Sequence, residues 1–200
     1  MTRTLPLVLL ALLACKRERP PPLPPSQPPP DAETCDGPGC RQQALDAIAR
    51  RDDARAIRLA TRSCDGGHLP GCKTLGWLHE NGRGTARDAA RARALYQRAC
   101  DGGEMGSCKS LGLLYDTGAG GGVDRARAAA LYQRACDAGE LDACGNLANL
   151  YLGGDGVPRD LARAIALYDR VCAAGNRDRA CGNAQALRAM RDGGLPDARP

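Results

Sequence analysis

Apolar and small residues recur with a helical period along the segment from Pro70 to Glu80. They stand at positions i, i+3, i+4 and i+7, on one face of a helix, and are Cys72, Leu75, Gly76 and His79. The glycine-rich stretch from Asn81 to Gly84 ends this helix. A second helix is predicted to begin near Asp88, whose carboxylate can cap free amide groups, and to run to Cys100. The pattern therefore predicts a pair of closely packed helices.

The same pattern returns every 36 residues. The cysteines at this interval are Cys64, Cys100, Cys136 and Cys172, and also Cys72, Cys108 and Cys144 before Cys181 slips by one. Other residues at the same interval are Leu75, Leu111 and Leu147, then Gly84, Gly120 and Gly156, then Asp88, Asp124 and Asp160, then Tyr96, Tyr132 and Tyr168. Tyr115 and Tyr151 replace His79 in the later copies. A fixed period of this length predicts a solenoid of stacked helix pairs.

The copies of the pattern divide the folded part of the chain. Three repeats cover residues 71–177. Residues 35–70 are predicted to form an N-terminal capping helix pair with helices over 42–50 and 53–64, and residues 178–200 a C-terminal capping helix and tail. Such atypical ends are needed because interior repeats expose apolar faces that a neighbour must cover.

Composition also favours an all-α fold. Aromatic residues make up only 3% of the chain and Phe is absent, so the core must be built from Leu, Ala, Cys and a few Tyr. Small side chains suit closely approaching helices better than a sheet sandwich. The net charge of +5 comes mostly from arginines spread along the helices, without a stacking platform or a nucleic-acid motif. We therefore expect no nucleic-acid partner.

The chain has eleven cysteines, which is a heavy load for a reducing compartment. Zinc sites generally need cysteines two to four residues apart, whereas the main pairs here have seven or eight residues between them. Only His68 and His79 could assist as ligands. Disulfides are favoured, and the sequence calls for no metal or cofactor.

The disulfide pairing follows from the helix pairs. A short link from Asp101 to Ser107 reverses the chain, so that the next helix packs antiparallel to the last and the flanking thiols meet. The predicted bridges are Cys64–Cys72, Cys100–Cys108, Cys136–Cys144 and Cys172–Cys181, which leaves Cys35 for Cys40. Each repeat bridge is expected to stabilise the fold by about 2–3 kcal/mol.

Residues 1–14 are predicted to be a signal peptide. One cation precedes an apolar run from Leu5 to Ala14 that is too short to span a bilayer. The sequence Leu12-Leu13-Ala14-Cys15 looks like a lipobox, in which Cys15 carries the lipid, and the alternative is an ordinary signal peptide with an incidental cysteine. Lipidation of Cys15 leaves no thiol unpaired.

Residues 15–34 are predicted to be the lipidated cysteine and a proline-rich linker. Lys16 follows the lipobox where lipoproteins of the inner membrane carry Asp, which favours the outer membrane. The run from Pro20 to Pro30 favours polyproline II and would hold the folded part about 30–50 Å from the lipid surface. The sequence thus predicts a location in the bacterial cell envelope, facing the periplasm or the surface, with the lipid as the only membrane contact.

The repeat resembles a known family. Its pattern is Cys-x-x-Leu-Gly-x-x-Tyr, then Gly-x-Gly, then Asp, Ala and Leu-Tyr, then Ala-Cys-Asp-x-Gly, over about residues 41–191. This is similar to the Sel-1-like repeats, which are related to tetratricopeptide repeats, and the cysteine spacing resembles the Helicobacter cysteine-rich protein (Hcp) subfamily. The resemblance implies a right-handed superhelix with a partner on its concave face. Some cysteine-rich members also carry the name beta-lactamase.

The residues give little support to an enzyme. A serine beta-lactamase needs Ser-x-x-Lys, but the residues three before Lys16, Lys73 and Lys109 are Leu13, Pro70 and Gly106. Ser107 and Ser110 are interpreted as helix-start and surface hydroxyls, and His79 as a core or groove-edge side chain. No catalytic residue is assigned. A penicillin-binding or weakly hydrolytic protein of the beta-lactamase-named type stays as the alternative to a binding scaffold.

Candidate binding residues are the positions on the first helix of each repeat that do not recur, because packing fixes only the recurrent stripe. They comprise Lys73, Thr74, Trp77 and Glu80, then Lys109, Ser110, Leu113 and Asp116, then Gly145, Asn146, Asn149 and Leu152. Trp77 is predicted to be either a binding anchor or a core residue. Solvated surface charge is favoured for Lys73 and Lys109, although either could pair with a carboxylate. The sequence predicts a monomer that binds a protein, a peptide or a peptidoglycan fragment.

Overall fold

The computed structural model describes residues 35–174 and 178–193. In this part of the chain the backbone forms nine α-helices and no strand. They are α1 (Gly37–Ala49), α2 (Asp53–Asp65), α3 (Leu69–Asn81), α4 (Ala89–Asp101), α5 (Met105–Thr117), α6 (Arg125–Asp137), α7 (Leu141–Gly153), α8 (Leu161–Ala173) and α9 (Asp178–Asp192). None of these helices is long and apolar enough to cross a membrane. The all-α prediction is confirmed, and the predictions for residues 1–34 lie outside the described residues.

The residues that are predicted to begin and end the helices of each repeat do so in the structure. Each second helix of a repeat begins at an aspartate that accepts a hydrogen bond from the backbone N–H three residues on. The pairs are Asp88 with Arg91 at 2.8 Å, Asp124 with Arg127 at 3.0 Å and Asp160 with Arg163 at 2.9 Å. The first helices end at Gly82, Gly118 and Gly154, which all have positive φ. Recurrent residues therefore set the helix boundaries in every repeat.

The first helix begins earlier than the sequence predicts. Helix α1 begins at Gly37 and not at Gln42. The side chain of Asp36 accepts a hydrogen bond from the Gly39 N–H at 2.7 Å, and Pro38 lies in the first turn, where its missing N–H costs nothing. The apolar pattern gives no sign of these residues because none of them adds a buried apolar side chain to the helix.

The helices stack in chain order. Each one packs against the helix before it and the helix after it, and α1 also contacts α3. The recurrent residues of the first helices are buried in these contacts, and they include Cys72, Leu75, Cys108, Leu111, Cys144 and Leu147. This is the solenoid that the 36-residue period predicts.

Two sets of glycines allow this close stacking. A Cβ atom placed on Gly76 or Gly112 would lie 2.8 Å from a ring atom of Tyr96 or Tyr132, so the second helix can approach the first only where no side chain is present. The glycines at 84, 120 and 156 have φ between 70° and 73°. A Cβ on these would overlap backbone atoms of the preceding repeat.

The five predicted disulfides are all formed, with Cα–Cα distances between 4.4 and 5.1 Å. An arginine from the following repeat lies over three of them. Arg98 donates to the Cys64 carbonyl at 3.2 Å, and Arg134 donates to the Cys100 carbonyl at 2.8 Å. Arg170 approaches the sulfur of Cys136 at 3.6 Å. These three bridges thus join the two helices beside them and also contact the next repeat.

Candidate binding groove

Two adjoining cavities run along the first helices of the repeats. The aromatic cavity, of about 470 Å³, is lined by Trp77, Glu80, Asn81, Tyr96, Lys109, Ser110, Leu113, Asp142 and Asn146. The amide cavity, also of about 470 Å³, is lined by Leu141, Asp142, Gly145, Asn146, Asn149, Tyr168, Val171, Arg179, Ala180 and Asn183. Because Asp142 and Asn146 line both cavities, they form one continuous surface from α3 to α9, which we call the groove.

Most of the predicted binding residues lie in the groove. The eight that line it are Trp77, Glu80, Lys109, Ser110, Leu113, Gly145, Asn146 and Asn149. The other four, which line neither cavity, are Lys73, Thr74, Asp116 and Leu152. The Thr74 side chain is buried and its hydroxyl donates to the Pro70 carbonyl at 3.0 Å, while the Lys73 ammonium contacts Glu104 at 3.2 Å.

Apolar side chains are exposed at one end of the groove. Trp77 is 38% exposed and Leu113, one repeat further on, is 44% exposed. The guanidinium of Arg83 lies over the Trp77 ring, 5.5 Å from its centre. The structure therefore places Trp77 at the surface and not in the core.

The two lysines pair with carboxylates of the following repeat. The Lys109 ammonium contacts Asp142 at 3.2 Å, and the Lys73 ammonium contacts Glu104, which is not the equivalent position, at the same distance. The prediction of solvated charges at both positions is therefore wrong. These ion pairs are partly exposed, so each contributes little to stability.

The buried tyrosines of the second helices bring their hydroxyls to the floor of the groove. Tyr96 donates to Glu80 at 2.8 Å, and Tyr168 donates to the side-chain oxygen of Asn149. Burial raises the pKa of Tyr96, and the hydrogen bond and charge of Glu80 raise it further. Burial also raises the pKa of Tyr168. Both hydroxyls therefore stay protonated and act as donors at neutral pH.

The middle tyrosine differs from the other two. Its hydroxyl, on Tyr132, is buried and has no hydrogen-bond partner. Burial and then the carboxylate of Asp116 raise the pKa of Tyr132, while the amide of Asn146 acts in the opposite direction. Because the three tyrosines recur, the sequence predicts only a packing role for them. The sequence did hold one clue to their second role: it has no Phe, so Tyr fills the buried aromatic positions, and a buried Tyr hydroxyl usually needs a hydrogen-bond partner.

The nucleophile candidates are not arranged for catalysis. The hydroxyl of Ser107 is buried and has no partner, and Ser110 donates to the Gly106 carbonyl at 3.1 Å. Within the described residues, neither hydroxyl is bonded to a histidine, a lysine or a carboxylate. His79 is buried in α3, where burial and then the charge of Arg91 lower its pKa. In this part of the chain, neither serine hydroxyl is therefore paired with a group that would activate it as a nucleophile.

The stacked helix pairs, their bridges and the groove define the class of protein, a disulfide-linked αα-solenoid of short repeats. The Sel1 repeat model matches residues 45–68, 74–104, 107–140 and 141–176, which is more than half of the chain. The chain therefore belongs to the Sel1 repeat family, whose members generally mediate protein–protein interaction. The first matched segment falls in the part that the sequence analysis treats as the N-terminal cap. No curated protein matches the chain.

Solved structures with the same fold have low sequence identity. The crystal structure of c5321, a protective antigen present in uropathogenic Escherichia coli strains and displaying an SLR fold, has a TM-score of 0.70 and 24% identity, over 78% of this chain and 34% of that chain. A Sel1 repeat protein from Oxalobacter formigenes has a TM-score of 0.70 and 20% identity, over 76% and 63%. Helicobacter pylori cysteine rich protein B has a TM-score of 0.49 and 23% identity, over 72% and 96%. This chain thus spans about a third of the first and less than two thirds of the second.

The disulfides also indicate where the protein resides. Five bridges form within the described residues. Reducing compartments keep thiols reduced, so bridges at this density indicate an extracytoplasmic location.

Proposed function

We propose that this protein is an extracytoplasmic scaffold that binds an extended polypeptide segment along the groove. One observation carries the proposal: most of the residues that differ between repeats lie on a single continuous surface with an exposed aromatic ring at one end and amides at the other. Exposed Trp77 supplies the kind of large, rigid anchor that dominates binding energies at protein interfaces.

The amide cavity suits a peptide backbone. A side-chain amide carries both donors and an acceptor, so the three asparagines at 146, 149 and 183 can each bond to a backbone C=O or N–H. Tyr168 already donates to the oxygen of Asn149, which leaves the amide NH₂ of Asn149 for a ligand carbonyl. Contacts of this kind hold an extended chain without selecting its side chains.

The lipid anchor belongs to the same proposal. A signal peptide over residues 1–14, lipidation of Cys15 and a proline-rich linker over residues 15–34 would tether the scaffold to the outer membrane. The tether would keep the groove near polypeptides of the envelope.

Photo-cross-linking in the native envelope tests this function. A benzoylphenylalanine replaces Leu113 in the full chain, and the control carries it at Val123, which is 57% exposed but lies outside both cavities. We expect a discrete polypeptide adduct from position 113 and none from position 123, identified by mass spectrometry. Equal adducts from both positions, or a purely glycan adduct at 113, would contradict peptide binding.

A further inference from the structure

The aromatic cavity carries a net negative charge. Its charged lining side chains are Glu80, Lys109 and Asp142. Lys109 and Asp142 neutralise each other through their ion pair at 3.2 Å. The charge of Glu80 is therefore the one that the cavity presents to a ligand.

In the next repeat, the residue equivalent to Glu80 has a cationic partner that Glu80 lacks. Asp116, 36 residues later, forms an ion pair with Arg125 at 3.1 Å. The residue 36 positions before Arg125 is Ala89, which cannot supply a cation. Within the described residues Glu80 forms no ion pair, and its carboxylate accepts one hydrogen bond, from the neutral hydroxyl of Tyr96.

Nearby arginines leave the Glu80 carboxylate unpaired. Arg87 donates to the backbone carbonyl of Glu80 at 3.0 Å and forms no ion pair with its carboxylate. Arg83 lies over the Trp77 ring, but its guanidinium is bonded to Asp53 and to the Ile48 carbonyl. Tyr96 donates to the Oε2 atom of Glu80, so the carboxylate is held in place while Oε1 stays available.

From this geometry we propose that the aromatic cavity is a site for a lysine or arginine side chain of the bound polypeptide. The inference rests on the proposed function and names the ligand side chain at one end of the groove. The aliphatic stem would lie against Trp77 and Leu113, and the charged head would reach Glu80. A cation restores in the first repeat the charge pairing that Arg125 supplies in the second, and charge complementarity of this kind selects the partner.

A pair of tripeptides tests the site on the full, oxidised protein. The probes are acetyl-Ala-Lys-Ala-amide and the same peptide with norleucine in place of lysine, which has a similar stem and no charge. Trp77 is the only tryptophan of the chain, so its fluorescence reports on this cavity alone. We expect the lysine peptide to bind about fivefold more tightly than the norleucine peptide.

Two variants assign the preference to Glu80. Glu80→Gln keeps an acceptor for Tyr96 but removes the charge, and Ala89→Arg places a cation at the position of Arg125. Both should reduce binding of the lysine peptide to the level of the norleucine peptide, without changing the helical circular dichroism signal. Equal affinities of the two peptides for the unmodified protein, an unaltered preference in Glu80→Gln, or no binding of either peptide up to about 10 mM overturns the inference.

The cross-linking and peptide-binding experiments distinguish a failure of the proposed function from a failure of the cation site. A Glu80-dependent preference for lysine without any polypeptide adduct at position 113 would retain the cation site and reject the proposed function. A polypeptide adduct at position 113 without a lysine preference would retain the function and reject the cation site.

Discussion

The first helix of each repeat has two faces that differ in what constrains them. On the packed face, Leu75, Leu111 and Leu147 recur and are buried against the second helices. On the groove face, the position that Trp77 holds becomes Leu113 and then Asn149. A packed residue must fit the same neighbours in every repeat, whereas a groove residue meets solvent or a ligand. Packing and the proposed binding are therefore separated onto two faces of one helix.

The third repeat differs from the first at two positions beside its tyrosine. Gly76 and Gly112 face tyrosine rings, but the corresponding residue of the third repeat is Ala148. There the hydroxyl of Tyr168 bonds to Asn149 and not to the position that corresponds to Glu80, which is Leu152. The two faces differ in composition, yet the hydroxyls of the packed residues Tyr96 and Tyr168 form hydrogen bonds with residues of the groove.

The largest expected difference lies between two leucines of α5. Leu111 is completely buried and Leu113 is 44% exposed. Leu111→Ala should lower the free energy of unfolding by about 2–5 kcal/mol, because it leaves a cavity in the packed face. Leu113→Ala should change it by about 0.5 kcal/mol or less. Urea unfolding of the oxidised protein, followed by circular dichroism, measures both.

The exposed leucine is expected to affect binding and not stability. Leu113→Ala should weaken binding of the norleucine tripeptide, whose stem rests on that side chain in our proposal. If Leu113→Ala destabilised the fold as much as Leu111→Ala, the side chain at 113 would belong to the core and the groove would have to be redrawn.

A smaller effect is expected in the turn after α5. Gly120 has a φ of 73°, and a Cβ there would overlap the backbone of Ala89. Gly120→Ala should cost about 3 kcal/mol, from the left-handed backbone and the overlap together. Gly122 recurs in no other repeat and a Cβ there would have no atom within 4 Å, so Gly122→Ala serves as the control and should be close to neutral. A loss of stability in both variants would mean that the whole turn, and not only the recurrent glycine, has no room for a side chain.

The sequence predicted what depends on periodicity. The helix pairs, their aspartate caps and four of the five disulfides follow from the 36-residue period, because each repeat must satisfy the same contacts. The pairing of Cys35 with Cys40 follows by elimination. The positions that differ between copies also predicted eight residues that line the groove. They included Thr74 as well, but that side chain turns into the helix and bonds to Pro70.

The sequence did not predict what depends on packing between helices. The hydroxyl of Tyr96 contacts Glu80 only because α3 and α4 pack closely at Gly76. The sequence around either residue gives no sign of this contact. Helix α9 contributes Arg179 and Asn183 to the amide cavity. They were missed because this cap has no second copy with which it could be compared.

The smallest expected effect distinguishes two tyrosines at equivalent positions. Tyr96 donates to Glu80, whereas the buried hydroxyl of Tyr132 has no partner. Tyr96→Phe should lower the free energy of unfolding by about 1–2 kcal/mol, because the lost bond is to a charged acceptor that is partly open to solvent. Tyr132→Phe should leave stability unchanged or raise it by up to about 1 kcal/mol, since it removes an unsatisfied polar group. Thermal and urea unfolding of the two variants provide the measurement. Equal losses would mean that Asn146 bonds to Tyr132 in solution, and the hydroxyls would then form a continuous row of donors along the groove floor.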